Sequence, residues 1–264
     1  YLNYYLNAPQ QRHGLLSNAN GATVSHVNMP VIRNLPVNLP DLRSQRATAA
    51  VLQAYDNLIE NSRKQIKLLE EAARRLYREW FIDLNFPGHE DVEIIDGIPT
   101  SWKQMPISEY ADVIKGCSYK SENIDAEQGL SMVTLSSIAS WGGYQPYKER
   151  TYNGGYKDKQ LLHTNDVVMA LTEQAQGLAG YVARIPRYAE SSLPSMDLAC
   201  LRPRSGSRAY LYCACRYGNV SRMLSPLANG TKIKHLKPEA LDYTRICIPP
   251  AELQNRFENM VTPV

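Results

Sequence analysis

The sequence predicts an α+β fold in which a mostly β domain with a few helices is joined to a long coiled-coil helix, within a duplicated architecture. Three observations predict it. Residues 41–81 contain neither Pro nor Gly and carry a sustained apolar repeat. Short segments of strand composition follow, separated by Gly, Ser, Asn and Pro loops. The first 40 residues match a later stretch of the same chain.

The long helix begins at Pro40-Asp41, with Asp41 as its N-cap. Leu52, Tyr55, Ile59, Ser62, Ile66, Leu69, Ala73, Leu76 and Trp80 fall alternately three and four residues apart, a heptad seam with one polar step at Ser62. At 1.5 Å per residue the helix would extend roughly 60 Å, which suits a strut between two bodies. Leu58, Leu68, Ala72, Tyr77 and Phe81 widen the stripe, so further protein is expected beside the helical partner.

Phe86-Pro87-Gly88 closes the helical region, and Gly97-Ile98-Pro99 with Trp102 opens a compact domain. Strands are expected near Asp112–Lys115, Met132–Leu135, Asp166–Leu171, Gly177–Ile185 and Asp197–Leu201, and a helix over Tyr210–Leu224. With Tyr210 placed on Tyr1, the two tails align without a gap. Ala228-Asn229-Gly230 then falls on Ala19-Asn20-Gly21, Ile233 on Val24, His235 on His26, Pro249 on Pro40 and Gln254 on Gln45. The shared pattern is a short helix, an Ala-Asn-Gly turn, and an apolar strand ending in Pro. The first tail runs into the long helix, so the second should run into another, and the full protein is expected to hold two modules, each followed by a helix.

The net charge of the 264 residues is +3, but Arg202–Lys237 holds eight Lys or Arg and no Asp or Glu, an excess that suits a polyanion. Seventeen Tyr against three Phe suit a half-wet binding face. The five cysteines (Cys117, Cys200, Cys213, Cys215, Cys247) show no metal spacing and fit a reduced, cytoplasmic chain; Cys213 and Cys215 read as small buried hydrophobes. No membrane-spanning run, phosphate-binding loop, dinucleotide loop, HExxH motif or methyl-transfer signature occurs, and neither a catalytic residue nor a metal site is expected. His13, His26, His89, His163 and His235 are scattered, and the repeat puts His26 and His235 in separate modules.

Four ordered features carry a resemblance: Leu39-Pro40-Asp41-Leu42-Arg43-Ser44-Gln45-Arg46, the helix closing on Arg78-Glu79-Trp80-Phe81, the Gly97-to-Trp102 domain start, and the repeated tail. Together they resemble the specificity subunits of type I restriction–modification systems. Asp112–Gly116 and Asn165–Ala170 are also like strands of that family, whereas Asn255 departs from it by standing where Arg usually follows Gln. The resemblance implies that 1–40 is the C-terminal tail of a first target recognition domain and 41–85 the conserved spacer helix. It implies a second recognition domain over 86–248 and the start of the distal conserved helix over 249–264.

It further implies a subunit that reads double-stranded DNA half-sites and docks methyltransferase and motor-nuclease subunits. Those partners would carry S-adenosylmethionine, ATP and Mg, leaving this chain without a cofactor. On that basis Asn229, Lys232, Lys234 and His235 are candidate phosphate contacts, and Thr172, Gln174 and Gln176 a candidate base-reading loop. Lys115, Tyr119 and Lys120 form a basic-aromatic loop, with Ser136, Ser137 and Trp141 weaker candidates and Trp141 equally suited to the core. Leu52, Tyr55, Ile59, Ile66, Leu69, Ala73, Leu76 and Trp80 would form the coiled-coil interface. Three alternatives stay open: a half-subunit that dimerises on a symmetric site, the recognition part of a fused nuclease or methyltransferase, and a coiled-coil adaptor without a DNA role.

Overall fold

In the computed structural model, residues 1–17, 27–145, 149–173, 178–230 and 233–262 are described. The chain divides into two compact units, Tyr1–Leu69 and Glu70–Val264.

The first unit holds α1 (Leu2–Asn7), α2 (Pro9–Ser17), α3 (Met29–Arg33) and most of α4 (Leu42–Phe81). The expected cap is present: the Ser44 amide and hydroxyl both donate to the Asp41 carboxylate. The Tyr4 hydroxyl donates to Asp56, and Tyr5 accepts from Gln11 and from the Asn38 amide. Leu52, Tyr55, Ile59, Ile66 and Leu69 are all exposed.

The last turns of α4 belong to the second unit, where the helix serves the core. Tyr77, Trp80 and Phe81 are buried among the rings of Trp102, Tyr210 and Phe257. Trp80, expected on an open seam, is therefore a core residue, while Ala73 and Leu76 are half-buried. The helix stops where the Asp83 and Asn85 amides bond back to Arg78 and Glu79, with Leu84 in the left-handed region at φ 61°.

The domain body opens with a hairpin, β1 (Ile94–Ile95) and β2 (Ile98–Pro99), turning at Asp96-Gly97 with both φ values positive, as a type I′ turn requires. There follow β3 (Lys103–Pro106), α5 (Ile107–Tyr110), β4 (Ala111–Lys115), β5 (Leu130–Val133), β6 (Arg150–Tyr152), β7 (Val167–Ala170) and β8 (Thr172–Glu173). The remainder are β9 (Val182–Arg184), β10 (Leu193–Pro194), β11 (Leu198–Pro203), α6 (Arg208–Tyr217), α7 (Val220–Leu224), β12 (Lys234–His235), β13 (Arg245–Ile248) and α8 (Ala251–Val261).

The main sheet is antiparallel, in the order β4-β11-β7-β9. Its central strand β7 is buried on both faces, which is why Val167–Ala170 reads as an unbroken apolar run. Val167 and Met169 face α6, α7 and the end of α4; Val168 and Ala170 face a second cluster with Val133, Leu135, Leu162 and Ile185. Just before β7, Asp166 is fully buried, accepts hydrogen bonds from the Arg202 guanidinium and forms an ion pair with Arg208 at 3.3 Å. Cys213 and Cys215 are buried, and burial pushes both thiols up to about 12. Tyr77, Tyr110 and Tyr210 are likewise core residues, so part of the tyrosine surplus lies inside and not on a wet face.

The repeat is visible in the elements. With Tyr210 on Tyr1, α1 falls within α6, α2 spans α7, α3 falls on the one-turn helix Pro238–Asp242, and α4 starts where α8 starts. The expected strand differs between copies. In the second copy β13 pairs with β3; residues 36–39 of the first have no strand beside them among the described residues. A strand exists through pairing its backbone groups, so sequence similarity alone does not make one. Burial follows the same division: Leu241 is 0% exposed and Ile248 9%, against 50% and 56% for their counterparts Ile32 and Leu39.

Candidate nucleic-acid interface

Register places the candidate residues. Lys115 pairs with Ala199, Ala199 with Met169, and Met169 with Val182, a row across all four strands near one end of the sheet. Past that row lie the segment after β4, the 195–197 turn, and β8. Strand β8 pairs in turn with β12, which brings Lys234 and His235 to the same end. Lys115, Thr172, Lys234 and His235, far apart along the chain, therefore converge through strand pairing.

Two glycines make the convergence possible. A Cβ at Gly116 would lie 1.9 Å from the Ser195 carbonyl oxygen, where the Cys117 amide also donates to Pro194. At Gly230, φ is +149° and a Cβ would lie 2.0 Å from the Ile233 carbonyl oxygen. The Asn229 and His235 amides exchange hydrogen bonds across that turn at 3.0 and 2.8 Å, and the Asn229 side chain donates to the Leu227 carbonyl. Asn229, Lys234 and His235 are exposed.

Thr172 is corrected by the geometry. It is buried, and its hydroxyl donates to the Asp197 carboxylate at 2.7 Å. His235 Nδ1 lies 3.2 Å from the same hydroxyl oxygen. The hydroxyl's proton is committed to a carboxylate that can only accept, so Nδ1 carries a proton and donates. Thr172 thus positions the imidazole, leaving Nε2 for an outside partner. Gln174, Gln176 and Lys232 lie outside the described residues, as do 18–26 of the first repeat copy.

On the β4 edge, Lys115 lines a groove of 680 Å³ together with Gly116, Gly155, Lys157 and Lys159. Gln160 ties the two walls by donating to the Lys115 carbonyl at 3.1 Å. The three lysines are exposed and have no salt bridge among the described residues. A cluster of ammonium groups beside glycine backbone is suited to phosphate. Sequence reasoning does not single out Lys157 and Lys159; the alternation Lys157-Asp158-Lys159 after Gly154-Gly155 is the signal that could have found them. Lys120 sits 3.7 Å from Glu122, and Tyr119 packs partly into a small core with Cys117 and Met132. Ser136 is exposed on the one-turn helix Leu135–Ser137, joined to this end by the Ser195 amide bonding to Val133. Ser137 is buried and caps that turn through the Thr134 amide. Trp141, which the sequence allowed as core, is 58% exposed.

Among the described residues no group of three His, Cys, Asp or Glu could hold a metal, and no helix is long and apolar enough to cross a membrane.

Comparison with known proteins adds to this geometry. The family model of the type I restriction modification DNA specificity domain matches residues 1–71. The MjaIX type I restriction enzyme specificity subunit of Methanocaldococcus jannaschii is 23% identical over 272 residues, covering 100% of this chain and 62% of that protein. The MjaVIII specificity subunit of the same organism is 27% identical over 170 residues, covering 62% of this chain and 39% of its own. The chain thus spans less than two thirds of these relatives' length. A solved chain from a study of complex assembly and conformational transition of the type I R-M system superposes with a TM-score of 0.51 at 22% identity, over 99% of this chain and 59% of that one. The HsdS subunit from Thermoanaerobacter tengcongensis gives a TM-score of 0.46 at 22% identity, over 95% and 58%.

Proposed function

We propose that this chain, similar to type I restriction–modification specificity subunits, is the DNA-recognition part of such a subunit and does no bond chemistry itself. The observation that carries this reading is the convergence of Lys115, Lys234 and His235 at one end of the main sheet, flanked by the Lys157–Lys159 groove. Ammonium groups hold phosphates there, while the loops between them and the accepting Nε2 of His235 read base edges in the major groove.

On this reading residues 86–248 form one recognition domain, 1–40 the tail of another, and 41–85 with 249–264 the helices between them. α4, about 60 Å long at 1.5 Å per residue, sets the distance between two half-sites, since each base pair advances about 3.4 Å. The exposed seam residues Leu52, Tyr55, Ile59, Ile66 and Leu69 take a helical partner. Methyltransferase subunits with S-adenosylmethionine and a motor-nuclease subunit using ATP and Mg supply the chemistry, in the cytoplasm where the DNA lies.

The test is methylome sequencing of cells expressing the full-length protein with its methyltransferase subunit. A bipartite adenine-methylation motif is expected, and exchanging residues 100–240 for those of a relative should change one half of it. A symmetric motif would favour the half-subunit dimer. No motif with folded, expressed partners would overturn the reading.

A further inference from the structure

Beside the end of α4 lies a second groove, of 790 Å³, whose chemistry differs from that of the lysine-rich sheet end. Its walls include Arg74, Arg78, Arg222, Trp141, Tyr181 and Tyr217. Arg74 and Arg78 lie on one face of α4, four residues apart.

Trp141 stands at this groove on a turn with φ +69°, followed by Gly142 and Gly143, also at positive φ. Its ring packs edge-on to Tyr181 at 5.4 Å and is otherwise largely in water. A large aromatic ring held out on backbone that only a few side chains tolerate is an unfavourable arrangement for a free surface. Behind it the wall is rigid: Arg216 pairs with Glu70 and lies 5.5 and 5.4 Å from the Tyr212 and Tyr217 ring centroids.

The charge at the mouth is not balanced. Arg74 and Arg75 share Glu71, and Arg78 reaches Asp83 at 3.4 Å. Arg222 has no ion pair among the described residues. Guanidiniums in this excess match carboxylates in paired fashion, and Arg, Trp and Tyr are the residue types that anchor protein interfaces. A cleft of this volume takes a peptide segment. The lysines at the sheet end, by contrast, act as point charges suited to phosphates.

We propose that this groove docks an acidic, aromatic-bearing segment of the methyltransferase subunit, whose carboxylates pair with Arg78 and Arg222 while its apolar side chain packs on Trp141. The proposal rests on the functional reading above, which makes that subunit the partner. Trp80 and Trp102 are buried, so within this chain Trp141 is the tryptophan open to acrylamide, and the difference in quenching between wild type and Trp141→Phe isolates its emission in the complex.

The experiment uses the full-length protein, its methyltransferase subunit and a duplex of about 30 base pairs, long enough to span two half-sites. Trp141→Ala and Arg222→Glu should each weaken binding of the methyltransferase subunit about tenfold or more, with unchanged circular dichroism and unchanged duplex affinity. Lys115→Ala should leave subunit binding intact. Adding the methyltransferase subunit should shield Trp141 from acrylamide, whereas the duplex alone should not. Wild-type affinity for the subunit in both groove variants would overturn the groove assignment alone. Shielding by the duplex, with a lower salt dependence of DNA binding in Arg222→Glu, would overturn it in favour of a phosphate surface. A wild-type protein that binds no methyltransferase subunit would overturn the functional reading and the docking site together.

Discussion

Trp80 near the end of α4 and Phe257 in the second turn of α8 stand with ring centroids 6.0 Å apart, so the two repeat-related helices meet in the core of the domain body. Phe81 and Tyr77 close on the same phenyl ring at 5.1 and 6.3 Å. Truncating either aromatic leaves a cavity the neighbouring rings cannot fill. Trp80→Ala and Phe257→Ala should each cost about 3–5 kcal/mol in urea unfolding. The double variant should cost less than the sum, since both changes empty one site.

Asp166 is fully buried and holds the Arg202 and Arg208 guanidiniums, while the His163 amide donates to it. Asp166→Asn would strand two positive charges at the edge of the core. A loss of about 3–5 kcal/mol is expected in chemical denaturation. Asp166→Asn together with Arg202→Met should recover part of it, because one of the unpaired charges is then gone.

Leu69 is exposed on α4, and no core depends on it within its unit. Leu69→Asp should leave the thermal unfolding of the isolated chain within about 0.5 kcal/mol of wild type. It should abolish assembly with partner subunits, read by size-exclusion chromatography with light scattering. Normal assembly would remove α4's seam from the interface.

Lys115, Lys157 and Lys159 share one groove and are expected to neutralise phosphates. Replacing all three by Ala should weaken duplex binding across unrelated sequences and lower the slope of log K against log salt by about 0.9 for each phosphate no longer neutralised. Fluorescence anisotropy over a potassium chloride series measures this directly. A changed target sequence with an unchanged slope would instead make these residues base readers.

The Asp41 carboxyl is held below its ordinary value, first by the Ser44 hydroxyl and then by the Ser44 amide. A depressed folded value means that the cap stabilises the helix above the ordinary carboxylate pKa, 3.8, and that this support is lost as pH falls through the lower, folded value. The Ser44 amide chemical shift should therefore titrate with a midpoint below 3.8. In Asp41→Ala that titration should be absent.

α4 is legible in the sequence because its 40 residues exclude helix breakers and keep one apolar spacing. β7 is legible because burial on both faces writes an uninterrupted apolar run. Nothing local distinguishes Trp80, which is core, from Leu69, which is exposed: both occupy the same seam, and the difference lies in whether α8 arrives opposite. The pairing of β8 with β12 is equally hidden, since two-residue strands so far apart in the chain carry no pattern. Thr172 reads as a surface residue because a polar side chain after a strand resembles a loop; only the arrival of Asp197 and His235 turns its hydroxyl inward. Trp141, which the sequence left open between a surface contact and the core, is held in water by the turn it forms with Gly142 and Gly143.

The antiparallel pairing of β3 with β13 sets the domain body's way in beside its way out, Lys103 opposite Ile248. The lysine-bearing sheet end is thus a cassette inserted through one narrow neck. The loops between the two strands can be replaced, lengthened or shortened while the neck keeps its hydrogen bonds, provided that Tyr210 and its neighbours go on packing against Tyr77, Phe81 and Phe257. If the proposed DNA-reading function holds, a crossover in the coding DNA at each side of the neck would change the target in one step, where point changes scattered over the loops would need many.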